Sequence, residues 1–156
     1  MKNPRPKKLT LSEQRVLKRA ARIREEQTPT YFGDVHNPTE VKNMCGLMLM
    51  LKEREEFWCF FLTSQFNIIE KECLSIGTID GASVHQREIV KRALELNAAA
   101  VIFTHNHPSG DATPSIADKR ITQRLVDALQ LVDIRVLDHI VVGHPDIISF
   151  AERGLL

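Results

Sequence analysis

Several features that would place this 156-residue chain in a special class of protein are missing from its sequence. The three cysteines, Cys45, Cys59 and Cys73, are an odd number at wide spacing, and no Cys-x-x-Cys pair exists. This excludes a cysteine-rich zinc knuckle, argues against a disulfide framework and predicts reduced, mostly buried thiols. No apolar run reaches the roughly 18–20 residues of a membrane span, and the basic, proline-containing start lacks the apolar stretch of a signal peptide. We therefore expect a cytoplasmic protein without a membrane partner.

The net charge of +1 is small, but the charges are unevenly distributed. Residues 1–26 hold nine Lys and Arg against three Glu, and the rest of the chain has an excess of acidic residues. A basic arm on a mildly acidic domain can contact nucleic acid. The simpler interpretation is a solvated helix, or one that docks on its own domain or on a partner subunit. It is favoured because charge asymmetry by itself is a weak signal.

Hydrophobic periodicity predicts a basic N-terminal helix and linker, 1–33, followed by one domain, 34–156. The N-terminal helix has a capping-box pattern, Thr10 with Glu13, and Thr28-Pro29 ends it. Further helices are predicted from Asn37-Pro38 onward, at 85–96, and at 115–131 with Ile116, Ile121 and Leu125 on its buried side. Strands are predicted at 57–62, 68–76, 98–103, 134–142 and 147–150. This order indicates an α/β or α+β layered fold, a mixed sheet with helices packed on it.

The stretch 104–118 carries the strongest chemical signal. His105 and His107 lie two apart at the end of a predicted strand, where alternate residues point to the same face, so both imidazoles can converge on one point. A loop follows, and Ser115 then opens a helix with Asp118 in its first turn, where the helix dipole favours a carboxylate. Two histidines and one carboxylate are the ligands of a catalytic zinc site that leaves its fourth position to water. Simple helix capping is the alternative for Ser115 and Asp118, and it is compatible with metal binding.

These residues resemble a known family. His105-Asn106-His107-Pro108-Ser109-Gly110, followed by Pro114-Ser115 and Asp118, is similar to the JAMM motif of MPN-domain metalloproteases, in the form carried by the RadC family. The resemblance spans residues 53–156, and the chain looks most like the short RadC-like proteins that lack the longer N-terminal region of helix-hairpin-helix character. It implies an MPN fold related to the cytidine-deaminase layout. It also implies one zinc ion per chain, held by His105, His107 and Asp118.

The same resemblance implies two catalytic residues. Ser115 would hydrogen-bond near the developing oxyanion. An upstream glutamate would deprotonate the zinc-bound water and then protonate the leaving amine. We choose Glu55, because family members place this residue two positions before the first aromatic of the strand. Glu56, on the opposite face, is the alternative, and Glu53 is less favoured; without the resemblance, a solvated charge cluster would explain all three.

Other charged and titratable residues are weaker candidates. The chain has His85-Gln86-Arg87-Glu88 where the family usually has His-Pro-Arg-Glu, and Arg87 and Glu88 are more typical of capping and surface charge than of a site. Asp138 and His139 are adjacent strand residues on opposite faces, so they cannot easily share a metal.

The sequence therefore favours a zinc-dependent metallohydrolase that cleaves a peptide or isopeptide bond in a peptide or protein substrate. The alternative is a DNA-repair-associated, nucleic-acid-binding protein of the RadC type with the MPN domain as a scaffold, whose binding would depend on the phosphate backbone. A base deaminase is rejected because its signature, His-x-Glu followed by Pro-Cys-x-x-Cys, does not occur.

Overall fold

A computed structural model describes residues 10–27, 35, 37–77 and 84–156. Its helices are α1 Leu11–Gln27, α2 Pro38–Leu49, α3 Gln86–Glu95 and α4 Ile116–Gln130. Its strands are β1 Glu56–Leu62, β2 Ile68–Ile76, β3 Ala100–Asn106, β4 Arg135–Val142 and β5 Ile147–Ser149. They form one sheet in the order β2-β1-β3-β4-β5, in which β3 and β4 are parallel and the other neighbours antiparallel. The predicted α/β class, a mixed sheet flanked by helices, is confirmed.

Two of the helices begin at the caps that the sequence indicates. The Asn37 side chain accepts a hydrogen bond from Thr39 N–H at 2.9 Å, and Pro38 occupies the first turn of α2, where its missing N–H costs nothing. Thr10 and Glu13 exchange hydrogen bonds as a capping box at α1. The predicted end of α1 at 28–29 and most of the linker lie outside the described residues. The domain boundary after residue 33 therefore stays a prediction.

Alternation along the strands divides the core into two layers on opposite faces of the sheet. One layer includes Phe57, Phe61 and Phe103 and packs against α3 and α4. The other includes Phe60 and Ile102 and packs against α2. Because both faces of β1 and β3 are covered, these strands read as nearly continuous apolar runs.

Strand β3 extends three residues beyond the apolar run that predicts it. Residues 104–106 are polar, yet they pair with β1 as far as Phe57 opposite His105 and with β4 as far as Val142 opposite Asn106. Hydrogen bonds from two neighbouring strands favour the extended conformation here. Local hydrophobicity does not reflect this pairing, so the sequence pattern places the end of the strand too early. His105 is therefore inside the strand and fully buried.

The prediction for Ile116 is wrong, because its side chain is 84% exposed. The buried side of α4 is formed by Ile121, Leu125 and Leu129, which follow one another at intervals of four residues. Ile121 is five positions after Ile116, so at about 100° per residue the Ile116 side chain points roughly 140° away from that of Ile121.

The cysteines have the state that the sequence predicts, free and mostly buried. Cys45 and Cys59 are buried, Cys73 is partly buried, and all three are free thiols. Burial raises the pKa of Cys45 to about 12, which makes this thiol unreactive. In the part of the chain that the structure describes, no helix combines the length and the apolar character that crossing a bilayer requires.

Candidate metal centre

His105, His107 and Asp118 bring their ligand atoms to one point. His105 Nε2 lies 2.9 Å from His107 Nε2 and 3.2 Å from Asp118 Oδ1, and His107 Nε2 lies 3.3 Å from Asp118 Oδ2. Nitrogens bound at about 2.0–2.1 Å to a single tetrahedral ion lie roughly 3.3 Å apart, so the group has about the size of a metal site. His105 and Asp118 are buried, whereas the His107 side chain is 16% exposed. The three residues could hold a metal ion that solvent reaches from the His107 side.

A chain of buried hydrogen bonds determines which nitrogen of His105 carries the proton. The Thr122 hydroxyl donates to the main-chain carbonyl of Asp118, so its oxygen accepts from His139 Nδ1–H. Burial, with a smaller contribution from His105, lowers the pKa of His139 well below its usual value, so this imidazole is neutral and its Nε2 is an acceptor. His139 Nε2 lies 2.8 Å from His105 Nδ1. His105 therefore donates from Nδ1 and presents the lone pair of Nε2 to the site.

His107 is oriented by the loop that follows it. Its Nδ1 lies 2.6 Å from the main-chain carbonyl oxygen of Asp111, which can only accept, so Nδ1 carries the proton. The lone pair of His107 Nε2 then points at that of His105 Nε2, 2.9 Å away. Two lone pairs at this distance repel each other unless a proton or a metal cation lies between them. Together with the adjacent carboxylate, this arrangement has the chemistry of a metal site.

The carboxylate of Asp118 is held in its charged form. Burial opposes that charge, but the polar contacts with His105 and His107 and the hydrogen bond from Ser115 N–H outweigh the effect of burial and hold the pKa of Asp118 well below its usual range. The pKa of His107 is raised, chiefly by the contact with Asp118 and less by the charge of Glu55, so a proton on Nε2 is the alternative to a bound metal ion at this position. A buried, ionised carboxylate beside two imidazoles attracts a divalent cation.

Ser115 is the N-cap of α4 and forms a reciprocal capping box with Asp118. Ser115 Oγ accepts from Asp118 N–H at 3.0 Å, and Ser115 N–H donates to Asp118 Oδ2 at 2.7 Å. The capping interpretation is therefore right for both residues. Because Ser115 is exposed and its oxygen acts as the acceptor in the cap, its O–H can still donate to a bound molecule.

Glu56 and Glu53 lie away from the metal group. Glu56 Oε2 accepts from the indole N–H of Trp58 at 2.9 Å, and Oε1 lies 3.1 Å from Lys52 Nζ. Trp58 belongs to the core layer that packs against α2, on the face opposite to His105. Glu53 is exposed in the bend that precedes the strand.

Strand alternation continued back from Phe57 puts Glu55 on the same face of the sheet as the histidines. It is two residues before Phe57, which pairs with His105 across β1 and β3 and stacks on its ring at 5.9 Å. The charge of Glu55 also contributes to the raised pKa of His107, which indicates that the two groups are within electrostatic reach. Of the three glutamates considered, Glu55 is the one that the fold directs toward the metal group.

The sequence assigns no role to His139, although its ring touches that of His105. The prediction that Asp138 and His139 point to opposite faces is confirmed by their contacts: Asp138 accepts from the Ser149 hydroxyl at 2.6 Å, whereas His139 bonds to His105. The available signal was the spacing of Thr122, four residues after Asp118 on one helix face. Finding His139 itself requires the parallel register in which it pairs with Phe103.

Arg87 and Glu88 form an exposed surface pair. The two side chains lie 3.4 Å apart and are 84% and 62% exposed, as expected of surface charge at the start of α3. A solvent-screened pair of this kind contributes about 0–1 kcal/mol to stability.

We predict that His139→Phe lowers zinc affinity by about 10- to 100-fold. Phenylalanine keeps much of the ring packing against Phe57 and Phe150 but removes the acceptor of His105 Nδ1–H, so the proton of His105 is no longer held away from the site. Competition with a chelating indicator measures the affinity. Phe103→Leu, a core change in the same layer, is the matched control and should keep the wild-type affinity. Equal affinities in wild type and His139→Phe would contradict the proton assignment.

Gly143 packs closely against the loop that orients His107. A Cβ at position 143 would overlap Gly110 O and lie 2.7 Å from Ala112 N, and both contacts are with main-chain atoms that cannot move independently. The adjacent residue, His144, donates its N–H to Gly110 O at 2.8 Å. The close approach therefore holds the segment that presents the Asp111 carbonyl to His107.

We predict that Gly143→Ala lowers the free energy of unfolding by about 1–3 kcal/mol and also weakens metal binding. The added methyl group displaces residues 110–112, so the hydrogen bond from His107 Nδ1 lengthens. Thermal unfolding and zinc titration measure the two effects. In the control Gly46→Ala, the methyl group meets the flexible ends of the Ile147 and Met50 side chains, and metal binding should be retained. A Gly143→Ala protein with wild-type zinc affinity would show that the loop does not orient His107.

Comparison with known proteins gives consistent similarities. A family model described as the RadC-like JAB domain matches residues 35–155. The UPF0758 protein YfjY of Escherichia coli K12 is 50% identical over 153 residues, which cover 98% of this chain and 96% of that protein. YkfG of the same strain is 49% identical over 154 residues, 97% and 96% of the two chains. A UPF0758 protein of Vibrio atlanticus is 57% identical over 118 residues, which are 76% of this chain and 53% of that protein, about half its length. The names of these relatives state no activity.

Proposed function

Because this chain belongs to the RadC-like JAB domain family, we propose that it is a zinc-dependent metallohydrolase of the JAMM type that cleaves a peptide or isopeptide bond. The family includes metallohydrolases, and the resemblance of the 104–118 stretch to the JAMM motif is specific. The proposed ligands are His105, His107 and Asp118, with Glu55 and Ser115 as the catalytic residues.

The observation that carries the proposal is the convergence of the two Nε2 atoms and the ionised Asp118 carboxylate on one point. His139 Nε2 and the Asp111 carbonyl oxygen accept hydrogen bonds from the Nδ1–H groups of His105 and His107. The Nε2 atoms of both histidines are therefore available to bind a cation. The donor set of two imidazoles and one carboxylate suits zinc, and three protein ligands leave one position for water or substrate. This combination supports a catalytic rather than a purely structural metal site.

Each residue around the site has a chemical task in the proposed reaction. The metal, when bound, acts as a Lewis acid that lowers the pKa of a water molecule to near neutrality. The Glu55 carboxylate takes the proton of the attacking water and later gives it to the leaving amine. The Ser115 hydroxyl donates to the carbonyl oxygen of the scissile bond as negative charge develops on it. His139 and Asp111 keep the histidine protons on the outer nitrogens throughout.

Metal analysis combined with a hydrolysis screen tests the proposal. We expect the purified protein to hold one zinc ion per chain and to cleave members of a peptide and isopeptide library. Chelation should abolish the cleavage, and added zinc should restore it. A protein that holds no metal and binds none at micromolar zinc would contradict the proposal.

Nucleic-acid binding is the second candidate function, and the exposed cations of α1 favour it. Arg15, Lys18 and Arg19 are all exposed and can contact phosphates. A titration with duplex DNA at about 50 and 200 mM salt tests this candidate, because affinity that depends on phosphate contacts falls steeply over that range. Absence of salt-sensitive binding excludes it.

A further inference from the structure

Asn106, the residue between the two histidines, points to the opposite face of β3 and binds the segment that carries Glu55. It is 1% exposed. Its Oδ1 accepts from Glu56 N–H at 2.9 Å, and its Nδ2 donates to the carbonyl oxygens of Arg54 at 2.9 Å and Lys52 at 3.3 Å. One orientation of the amide satisfies all three partners, because the N–H needs an oxygen and the two carbonyls need N–H donors.

These bonds hold the main chain on both sides of Glu55. Regular pairing of β1 with β3 ends at Phe57 opposite His105, and beyond it the Asn106 side chain takes over the hydrogen bonds of the segment. The Asn106 amide donates to the carbonyl of residue 54 and accepts from the N–H of residue 56, and Gly77 N–H donates to the Glu55 carbonyl at 2.8 Å. Both peptide groups that flank the Glu55 α-carbon are therefore held in place by hydrogen bonds. With its φ and ψ angles held, Glu55 keeps its side chain on the face of the histidines.

We propose that Asn106 is a positioning residue that sets the Glu55 carboxylate relative to the metal group. Strand alternation allows the His-Asn-His triplet to do two things at once: its outer residues supply metal ligands on one face, and its middle residue holds the base-bearing segment from the other face. A movement of His105 and His107 is thereby transmitted to Glu55 through one strand. This inference rests on the proposed hydrolase function.

A purely structural role for Asn106 makes different predictions from a positioning role. Loss of a buried amide with three hydrogen bonds lowers stability in either case. Only a positioning role requires the effect of the substitution to depend on the presence of the Glu55 carboxylate. Thr104 lies two residues earlier on the same face of β3 and is buried, and its hydroxyl interacts with the Cys45 thiol and not with the segment that carries Glu55, so Thr104→Val is a matched control.

The test compares Asn106→Ala, Asn106→Asp, Thr104→Val and Glu55→Gln in the full chain. Asn106→Asp is isosteric and keeps the acceptor for Glu56 N–H but cannot donate to the two carbonyls, so it remains informative if the alanine variant unfolds. The visible spectrum of the Co(II)-loaded protein, followed against pH, reports the surroundings of the open metal position without a substrate. Hydrolysis of the peptide found in the library screen gives the second readout.

We expect both Asn106 variants to retain Co(II), to change its spectrum in the same direction as Glu55→Gln, and to reduce hydrolysis by about 10- to 100-fold. In Glu55→Gln/Asn106→Ala the second substitution should add little, and Thr104→Val should match the wild type. Wild-type spectra in the Asn106 variants, full additivity with Glu55→Gln, or a spectrum insensitive to Glu55→Gln would each overturn the inference. A wild-type protein that binds Co(II) but hydrolyses nothing contradicts the hydrolase proposal, and the spectra then decide the role of Asn106 separately.

Discussion

His105→Ala should abolish stoichiometric zinc binding and, with it, any hydrolysis. His105 is fully buried; its Nε2 faces the other two proposed ligands, and its Nδ1 joins the site to the His139–Thr122 hydrogen bonds. Removing it leaves two ligands and an unpaired acceptor on His139. Metal content per chain after dialysis against micromolar zinc measures the loss.

A thermal shift gives an independent measurement of the same loss. At a zinc concentration 100-fold above Kd, binding stabilises the wild type by about 2.7 kcal/mol. For a chain of this size that corresponds to roughly 5–10 °C in Tm. His105→Ala should show no zinc-dependent shift. His85→Ala is the matched control, because His85 is exposed at the start of α3 and makes no side-chain capping bond, so its shift should equal that of the wild type. Zinc-induced stabilisation of His105→Ala would place the metal elsewhere.

Glu55→Gln should leave zinc bound and lower kcat by about 10²- to 10⁴-fold. Glutamine keeps the size and polarity of the side chain but cannot accept the proton of the attacking water. Because the carboxylate is not among the three proposed ligands, the metal content should stay at the wild-type level. Steady-state hydrolysis of a library substrate, together with metal analysis of the same sample, separates the two effects.

Glu56→Gln provides the control for the assignment of the base. Glu56 is adjacent in sequence, but its carboxylate binds Trp58 and Lys52 on the other face of the sheet. We expect near wild-type kcat for this variant. If activity survives in Glu55→Gln and is lost in Glu56→Gln, the base has to be reassigned to Glu56.

The parts of the site that lie close together in sequence are predictable because short-range rules position them. His105 and His107 share a face through strand alternation, and Ser115 and Asp118 meet through a capping box at a helix start. The structure confirms both arrangements. Glu55 is different: about fifty residues separate it from the histidines, and only the resemblance to a family indicated it. Its proximity to His107 follows from antiparallel pairing of β1 with β3, which places Phe57 opposite His105.

The sequence by itself therefore determined the class of fold, the helix caps and the candidate metal-binding stretch, since each of these depends on periodicity or on contacts within a few residues. Tertiary structure alone decided how the site is held. The proton on His105 depends on His139, which reaches it through the parallel register of β3 and β4. The direction of Glu55 depends on Asn106, whose amide bonds to main-chain atoms about fifty residues earlier. Hydrogen bonds between distant segments produce no periodic pattern in a sequence, so the roles of His139 and Asn106 can be identified only from the tertiary structure.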